Sequence, residues 1–309
     1  MANTVTDDNG LTHRGERLRR PSGVASVQLG DTKVTFVPDG AIQGRPRAWL
    51  PDSTDEFWAA HPEYLDDSGH MVASVGGLLV EHGGRALLID AGFGPYDLPA
   101  DPATPNGAMR GGTLPANLAA LGRTPDRIEA VAFSHLHPDH LGWATHPEPG
   151  GDRPLLAQAE YLVAEPEWAP YADAAGGGVR DASIEALAPR VRTVADYEEI
   201  FPGVRVRIAA GHTAGHAEFV ITGGGRRLIA FGDSLHSPVQ VAHPDWSCVY
   251  DHDPVRAAAH RHRLVAELAE PDTIGFGLHF ADVVFGRVRR DGRELGWRPL
   301  DDEGAVDAG

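Results

Sequence analysis

The chain has 309 residues, of which 42% are hydrophobic and 23% are charged, proportions that are ordinary for a globular protein with a sizeable core. Its 27 Lys and Arg against 44 Asp and Glu give a formal net charge of -17, and no basic stripe is available to neutralise phosphates, which excludes nucleic acid as an expected partner. No apolar run reaches the roughly 20 residues of a membrane helix, and the N-terminus lacks the apolar segment of a signal peptide. We therefore expect a cytoplasmic protein without a membrane partner.

The composition along the chain divides it into three parts. Residues 1–23 are polar, charged and interrupted by Gly and Pro, so they are expected to form a flexible arm. Residues 24–300 contain no linker or repeat and are expected to form a single domain, and residues 301–309 are acidic and expected to fray. The single cysteine, Cys248, cannot form an internal disulfide, and we expect it to be a passive residue rather than a nucleophile.

Alternating apolar and polar residues predict short strands through the first half of the chain. The segments VASVQLGDTKVTFVPDG and SVGGLLVEHGGRALLID each contain two such stretches around a glycine turn, which is the pattern of a β-hairpin. Residues 95–112 lack periodicity, and we expect a surface loop that borders a pocket. TLPANLAALG has leucines at helical spacing, and IEAVAFSH is a short apolar run typical of a buried strand.

The second half of the chain combines strands with one clear helix. VRVRIAAGH and TIGFGLHF predict strands, and EFVITGGGRRLIAFGD predicts a hairpin. DPVRAAAHRHRLVAELAEPD predicts a helix that Asp253 caps and Pro271 ends. Val255, Val265 and Leu268 are expected on the buried face of this helix.

Metal-binding side chains follow the ends of four predicted strands. In HLHPDH, His135 and His137 are two apart on an extended segment and point to the same side, whereas Asp139 and His140 follow a proline that turns the chain. One pair can therefore face one ion and the next pair a second ion. Imidazole and carboxylate ligands suit Zn²⁺, with Mn, Fe or Co as alternatives. The other three strand ends supply His212, Asp233 and His279.

The number of ligands agrees with a dinuclear site. Two catalytic zinc ions, each with an open position, need about six protein ligands and a bridge. Asp233 has two carboxylate oxygens and is the natural bridging residue. Such a pair of ions lowers the pKa of a shared water toward neutrality, which provides hydroxide without a serine or cysteine nucleophile.

Five motifs resemble, in order and spacing, those of the metallo-beta-lactamase superfamily: LLIDAGFG at 87–94, HLHPDH at 135–140, GHTAGH at 211–216, FGDSLH at 231–236 and GLHF at 277–280. The resemblance covers about residues 30–285 and implies an α/β protein with an αββα sandwich, in which two mixed β-sheets face each other between outer helices. It implies that His135, His137 and His212 bind the first ion, that Asp139, His140 and His279 bind the second, and that Asp233 bridges them. It also implies that Asp90 orients the metal loop. His216 could contact a metal, but we expect a supporting or packing role because His212 already completes the number of ligands.

The branch of the superfamily follows from the residues around Asp233. This aspartate stands where the main class of β-lactamases carries cysteine, and the segment after it is similar to methyl parathion hydrolase and its lactonase-like relatives. The homoserine lactonases carry a tyrosine three residues after the bridging aspartate, whereas this chain has His236. We expect His236 to be either a general acid or oxyanion donor, or else a buried hydrogen-bonded histidine.

The predicted activity is hydrolysis of a lactone or other carboxylic ester by a metal-bridging hydroxide, with Asp139, Asp233 and His236 as the catalytic residues. Trp143 and Phe280 are expected to form an apolar wall for this small-molecule substrate. Phosphotriester or thioester hydrolysis at the same site stays open, as does an iron-dependent oxidoreductase from a different class. The resemblance also implies a homodimer.

Overall fold

The computed structural model describes residues 15–148, 150–172, 182–292 and 294–300. Most of the predicted arm (1–14) and the predicted tail (301–309) lie outside these residues. In the described part of the chain, no helix has the length and apolar character that crossing a membrane requires.

Residues 15–23, which the sequence assigned to the flexible arm, are packed against the rest of the chain. They begin with a helical turn at 15–18, and the side chain of Leu18 is buried. The Ser22 backbone N–H donates to Ser74 Oγ at 2.8 Å, and Arg17 Nε donates to the Asp282 carbonyl at 2.9 Å. The few apolar and hydrogen-bonding residues of this segment find partners far away in the sequence, which a polar composition does not reveal, and the division of the chain at residue 23 stays a prediction.

The first sheet is mixed. Its strand order is β5-β6-β2-β3-β4-β7-β8-β9, with β1 paired to β2. The pairs among β4, β7, β8 and β9 are parallel and the others are antiparallel. Its strands are β1 (Ala25–Leu29), β2 (Thr32–Gly44), β3 (Met71–His82), β4 (Arg85–Ile89), β5 (Asp97–Leu98), β6 (Asn106–Arg110), β7 (Ala130–Phe133), β8 (Glu160–Ala164) and β9 (Val191–Val194).

The second sheet is mixed as well, with strands in sequential order and one parallel pair, β13 with β14. The last hairpin was not predicted; its inner residue Trp297 is buried and packs edge-on against Phe280. The strands of this sheet are β10 (Glu199–Phe201), β11 (Val204–Ile208), β12 (Ala217–Gly223), β13 (Arg226–Ala230), β14 (Thr273–Phe276), β15 (Phe285–Asp291) and β16 (Glu294–Pro299).

Helices connect the strands. The α-helices are α1 (Pro46–Trp49), α2 (Asp55–Ala60), α3 (Leu114–Ala120), α4 (Pro138–Thr145), α5 (Glu165–Ala172), α6 (Ala182–Leu187), α7 (Val239–Ala242) and α8 (Pro254–Leu268). Short 3-10 turns occur at Pro62–Tyr64, Pro125–Arg127, Ala188–Arg190 and Gly232–Ser234.

Helix α8 confirms the clearest helix prediction. Asp253 caps it, since its carboxylate accepts a hydrogen bond from the Arg256 backbone N–H at 3.0 Å. Val265 and Leu268 are buried as expected, but Val255 is 82% exposed. Val255 lies in the first turn of the helix. The predicted buried face therefore included one turn too many at the N-terminal end.

The main core lies between the two sheets. Phe36 and Leu78 of the first sheet and Phe219 and Ile274 of the second belong to one buried cluster, and the rings of Phe36 and Phe276 are 5.8 Å apart. A second cluster lies under α3 and α4 on the outer face of the first sheet, and a third lies under α8 on the outer face of the second. This arrangement confirms the predicted αββα sandwich.

Residues 95–112 form more than a loop. They contain the short paired strands β5 and β6, which extend the edge of the first sheet beyond β2. Tyr96, Leu98 and Met109 line the cavity described below, so the prediction that this segment borders a pocket is confirmed.

A buried ion-pair network ties α8 to the second sheet. Glu218 on β12 accepts hydrogen bonds from Arg207 Nε at 2.9 Å and Ser234 Oγ at 2.7 Å, and its other partner, His260 Nε2, is 2.7 Å away. Burial raises the pKa of this carboxyl, but the hydrogen bond and charge of His260 and the charge of Arg207 outweigh it and lower the pKa to about 2.

Folding stability is therefore expected to fall as the pH drops from about 4.5 toward 2. The unfolded chain takes up the Glu218 proton near the ordinary pKa of 4.5, whereas the folded chain resists it until about 2. This difference stabilises the folded state by about 3 kcal/mol at neutral pH. Denaturant unfolding of Glu218→Gln should show lower stability at pH 7 and a smaller loss of stability between about pH 5 and pH 3. Equal pH dependence in the variant and the parent would contradict this role.

Candidate metal centre

The motif HLHPDH lies at the carboxyl end of β7, where the chain turns into α4. Pro138 begins the helix, a position that suits proline because the first helical N–H needs no partner within the helix. His135 and His137 precede this proline on extended backbone, and Asp139 and His140 lie in the first turn of α4. The change from strand to helix turns the pair His135 and His137 and the pair Asp139 and His140 in different directions.

The first group brings together His135, His137, His212 and Asp233. His135 Nε2 is 2.8 Å from His137 Nδ1, which is 3.1 Å from His212 Nε2. Asp233 Oδ2 is 3.3 Å from His212 Nε2 and 3.8 Å from His135 Nε2. The four ligand atoms lie within 4.8 Å of one another.

The second group consists of Asp139, His140 and His279, joined by the other oxygen of Asp233. Asp139 Oδ2 is 3.6 Å from His140 Nε2 and 3.5 Å from His279 Nε2. Asp233 Oδ1 is 3.3 Å from His140 Nε2 and 3.2 Å from His279 Nε2. Asp233 therefore presents one carboxylate oxygen to each group, which is the arrangement that a bridging ligand requires.

The chemistry of this donor set fits two divalent ions of the zinc type. The second group contains two buried atoms, His140 Nε2 and Asp233 Oδ1, that have no hydrogen-bond partner among the described residues. Buried polar atoms without a partner cost free energy, and a bound ion removes that cost. Imidazole nitrogen with carboxylate oxygen is the donor set of Zn, Mn, Fe or Co rather than of Mg or Ca.

Asp90 holds the loop that carries the ligands. It has a positive φ of 59° just after β4. Its carboxylate accepts hydrogen bonds from the Ser134 backbone N–H at 2.8 Å and the Ser134 hydroxyl at 2.9 Å, and Oδ2 is 2.9 Å from His140 Nδ1. This contact leaves Nε2 of His140 directed at the second group.

His216 supports Asp233 without joining either group. Its Nε2 accepts a hydrogen bond from the Asp233 backbone N–H at 3.0 Å. Burial lowers the pKa of His216 to about 3, so the ring is neutral at physiological pH and can accept this bond. The contact positions the turn after β13, on which Asp233 lies.

Asp251 is a supporting residue that the sequence did not reveal. Its Oδ1 is 3.0 Å from His212 Nδ1, and its Oδ2 accepts hydrogen bonds from Arg261 Nη1 at 2.9 Å and the Cys248 backbone N–H at 3.0 Å. The side chains of Asp251 and Arg261 are both fully buried. A buried carboxylate thus orients His212 and is itself held by a buried guanidinium.

Glu167 is a second residue that the sequence did not reveal. Its Oε1 accepts a hydrogen bond from the Leu136 backbone N–H at 3.1 Å, and its Oε2 accepts from Thr213 Oγ1 at 2.6 Å and from the Gly215 backbone N–H at 3.1 Å. Glu167 therefore links the HLHPDH loop to the GHTAGH loop. The segment EPEW around it carries no pattern that predicts this role.

The electrostatics of the two groups differ. Burial lowers the pKa of His212 to about 4, although the hydrogen bond with Asp251 acts in the opposite direction. Burial also lowers the pKa of His140, but the charges of Asp233, Asp139 and Asp90 outweigh it and raise that pKa well above its ordinary value. The carboxylates around His140 therefore favour a positive charge at this position, which a proton or a bound cation can supply.

A cavity of about 490 Å³ opens above the two groups. Its floor contains His137, Asp139, Asp233 and His279. Its walls are largely apolar, and no lysine or arginine occurs among the described residues that line it. Three partly exposed side chains with large apolar surfaces stand at the mouth: Tyr96, Leu98 and Tyr250.

The apolar wall is not made by the aromatic residues that the sequence suggested. Trp143 is 1% exposed in the core, and its indole N–H donates to Asp39 Oδ1 at 2.8 Å. Phe280 is completely buried against Phe231. Both were expected at the pocket because they follow ligands in the sequence, but the chain direction at those positions turns them away from it.

The wall instead contains Trp49 and Phe93, with aliphatic residues around them. Trp49 is on the short helix α1, far from the ligand motifs in the sequence. The indication available in the sequence was the mixture of Pro, Gly and aromatic residues after β2, which marks a connection but does not show which way its side chains point.

His236 lines the cavity and is buried. Its Nε2 is 3.3 Å from Asp233 Oδ2, and its backbone N–H donates to Gln240 Oε1 at 2.7 Å. Within the described part of the chain, neither ring nitrogen has a hydrogen-bond partner. His236 is therefore buried beside Asp233, and its catalytic role stays a prediction.

The chain belongs to the metallo-beta-lactamase superfamily, whose family model matches residues 77–275. The fold is similar to that of AidC, a dizinc quorum-quenching lactonase solved with the product N-hexnoyl-L-homoserine, at 21% identity and a TM-score of 0.74, over 91% of this chain and 98% of that one. It is also similar to the hydrolase AbOPH, at 24% identity and a TM-score of 0.72, over 90% and 98% of the two chains.

A third similar structure is a probable metal-dependent hydrolase from Staphylococcus aureus, at 19% identity and a TM-score of 0.72, over 87% of this chain and 96% of that one. No curated protein sequence matches the chain significantly. Because all three structures are less than 25% identical to this chain, the similarity is evidence for the fold alone.

Proposed function

We propose that this chain is a dinuclear metal-dependent hydrolase that opens lactones or cleaves other carboxylic esters. The observation that carries the proposal is the position of Asp233 at the floor of an apolar cavity, with one carboxylate oxygen facing each group of ligands. The first ion is proposed to bind to His135, His137 and His212, and the second to Asp139, His140 and His279. Zinc is favoured because the similar lactonase AidC is described as a dizinc enzyme.

Two divalent ions bound at this site would supply Lewis acidity, which would polarise a carbonyl and make water a nucleophile near neutral pH. The residues of the chain orient the reactants. Asp139 and Asp233 present carboxylate oxygens at the cavity floor, and they are proposed to accept hydrogen bonds from the attacking water. His236 is beside Asp233 and is proposed to donate a ring N–H to the oxygen that develops negative charge.

The walls favour an uncharged substrate with an apolar portion. Ile42, Phe93 and Met109 offer apolar contact, and the described lining residues include no lysine or arginine that could bind a polyanion. A lactone or ester with an acyl or aryl group fits this surface. A homodimer and a cytoplasmic location stay predictions of the sequence.

A substrate panel tests the proposal. Purified protein loaded with zinc is assayed with lactones, aryl esters, thioesters and a phosphotriester, and its metal content is measured in parallel. We expect about two ions for each chain and turnover chiefly of lactones or esters. Turnover of the phosphotriester or thioester alone would replace the proposed substrate class, and bound iron with oxygen consumption would replace the hydrolase proposal with an oxidoreductase.

A further inference from the structure

One wall of the cavity contains an asparagine whose orientation is set by two aromatic residues. Asn106 Oδ1 accepts hydrogen bonds from Trp49 Nε1 at 2.8 Å and from the Tyr250 hydroxyl at 3.1 Å. An indole nitrogen only donates hydrogen bonds, so the Asn106 atom that faces it must be the oxygen. The Nδ2 group of Asn106 therefore points away from Trp49 Nε1 and the Tyr250 hydroxyl, which both donate to Oδ1.

This amide group is available to a ligand. Among the described residues, no acceptor forms a hydrogen bond with Asn106 Nδ2, and the residue is partly buried and lines the cavity. The wall near it is otherwise apolar, with Leu98 and Met109 as lining residues. A polar donor in apolar surroundings discriminates strongly between ligands that have an acceptor and ligands that lack one.

Trp49 contacts both Asn106 and His236, a residue beside the metal centre. Its indole ring is edge-on to the ring of His236, with the centroids 6.3 Å apart, while its nitrogen contacts Asn106. His236 is in turn next to the bridging residue Asp233. All three residues, Asn106, Trp49 and His236, line the same cavity as Asp233.

We infer that Asn106 is a specificity-determining residue that donates a hydrogen bond from Nδ2 to a second, neutral carbonyl oxygen of the substrate, such as that of an amide. The inference rests on the proposed hydrolase function and narrows its substrate class. A neutral carbonyl suits this wall better than a carboxylate because no lysine or arginine occurs among the described residues that line the cavity.

Two lactones with the same ring and the same chain length test this inference. One carries its chain through an amide, and the other carries it through methylene groups only. Asn106→Asp keeps acceptor oxygens for Trp49 and Tyr250 but has no N–H to donate. We expect the variant to lower kcat/KM for the amide lactone by about tenfold, mainly through KM, and to change it by less than about twofold for the methylene lactone.

Tyr250→Phe is the matched control. It removes one hydrogen bond to Oδ1, but Trp49 still determines the orientation of the amide, so the preference for the amide lactone should persist. An equal loss on both lactones in Asn106→Asp, or an equal change of preference in Tyr250→Phe, overturns the inference while the hydrolase proposal stands. If the parent protein cleaves neither lactone, lactone hydrolysis and this inference fail together.

Discussion

Asp233→Asn is expected to lose at least one metal ion and to reduce hydrolysis by about a thousandfold. The carboxylate has one oxygen toward His212 and the other toward His279, at 3.3 Å and 3.2 Å from their Nε2 atoms. An amide of the same shape offers one oxygen and one NH₂ group, so it can act as a ligand toward only one of the two groups. Metal analysis for each chain and steady-state turnover of a lactone measure the two effects.

Asp245→Asn is the matched control for this experiment. The Asp245 side chain is 80% exposed and its carboxylate contacts only the imidazole of His262 among the described residues. The same chemical change there should leave metal content and turnover as in the parent. Circular dichroism and thermal unfolding establish that Asp233→Asn is folded. A folded Asp233→Asn variant that keeps two ions and parental turnover would exclude the bridging role.

Arg261→Met is expected to destabilise the protein by about 3–5 kcal/mol, because it leaves the carboxylate of Asp251 buried without its counter-charge. Both side chains are fully buried, and Arg261 Nη1 is 2.9 Å from Asp251 Oδ2. The guanidinium also donates to the Pro244 carbonyl at 2.8 Å and to Ser247 Oγ at 2.7 Å, so the loop before α8 loses three contacts at once. Denaturant unfolding with and without metal measures the loss.

Arg205→Met is the control for the loss of a charge. Arg205 forms an ion pair with Glu199 in which the two side chains are 55% and 43% exposed, and a surface pair of this kind contributes less than about 1 kcal/mol. Asp251→Asn tests the other end of the buried pair. This variant weakens the hydrogen bond that orients the His212 ring, and metal affinity should fall by about 10- to 100-fold. A small stability loss in Arg261→Met, similar to that in Arg205→Met, would contradict the proposed importance of the buried pair.

The clustering of the predicted metal ligands could be anticipated from the sequence because these residues lie in short local patterns. His135 and Asp139 are predicted to bind different ions because Pro138 lies between them. The change from strand to helix at this proline is a local property of the chain. The other members, such as His212, follow recognisable apolar runs. The ligands follow β7 of the first sheet and β11, β13 and β14 of the second, and these strand ends come together at one edge of the sandwich.

The supporting residues could not be predicted in this way. Asp251 and Glu167 are single acidic residues in segments without periodicity, and each is defined by partners that are distant in the sequence. Asp39 is a similar case: its two oxygens accept hydrogen bonds from the backbone N–H groups of Phe93 and Leu114, among others. Such contacts exist only after the sheet has brought these segments together.

The pocket wall is the part of the site that local sequence patterns did not predict. Trp143 and Phe280 are near ligands in the sequence, but neighbouring residues on a helix or turn point in different directions, and both face the core. Trp49 and Asn106 reach the cavity from two distant segments. The periodicity of apolar residues and the chemistry of the ligands follow from neighbours along the chain. The identity of the wall depends on how the connections after β2 and before β6 fold over the sheet edge, which is a matter of long-range packing.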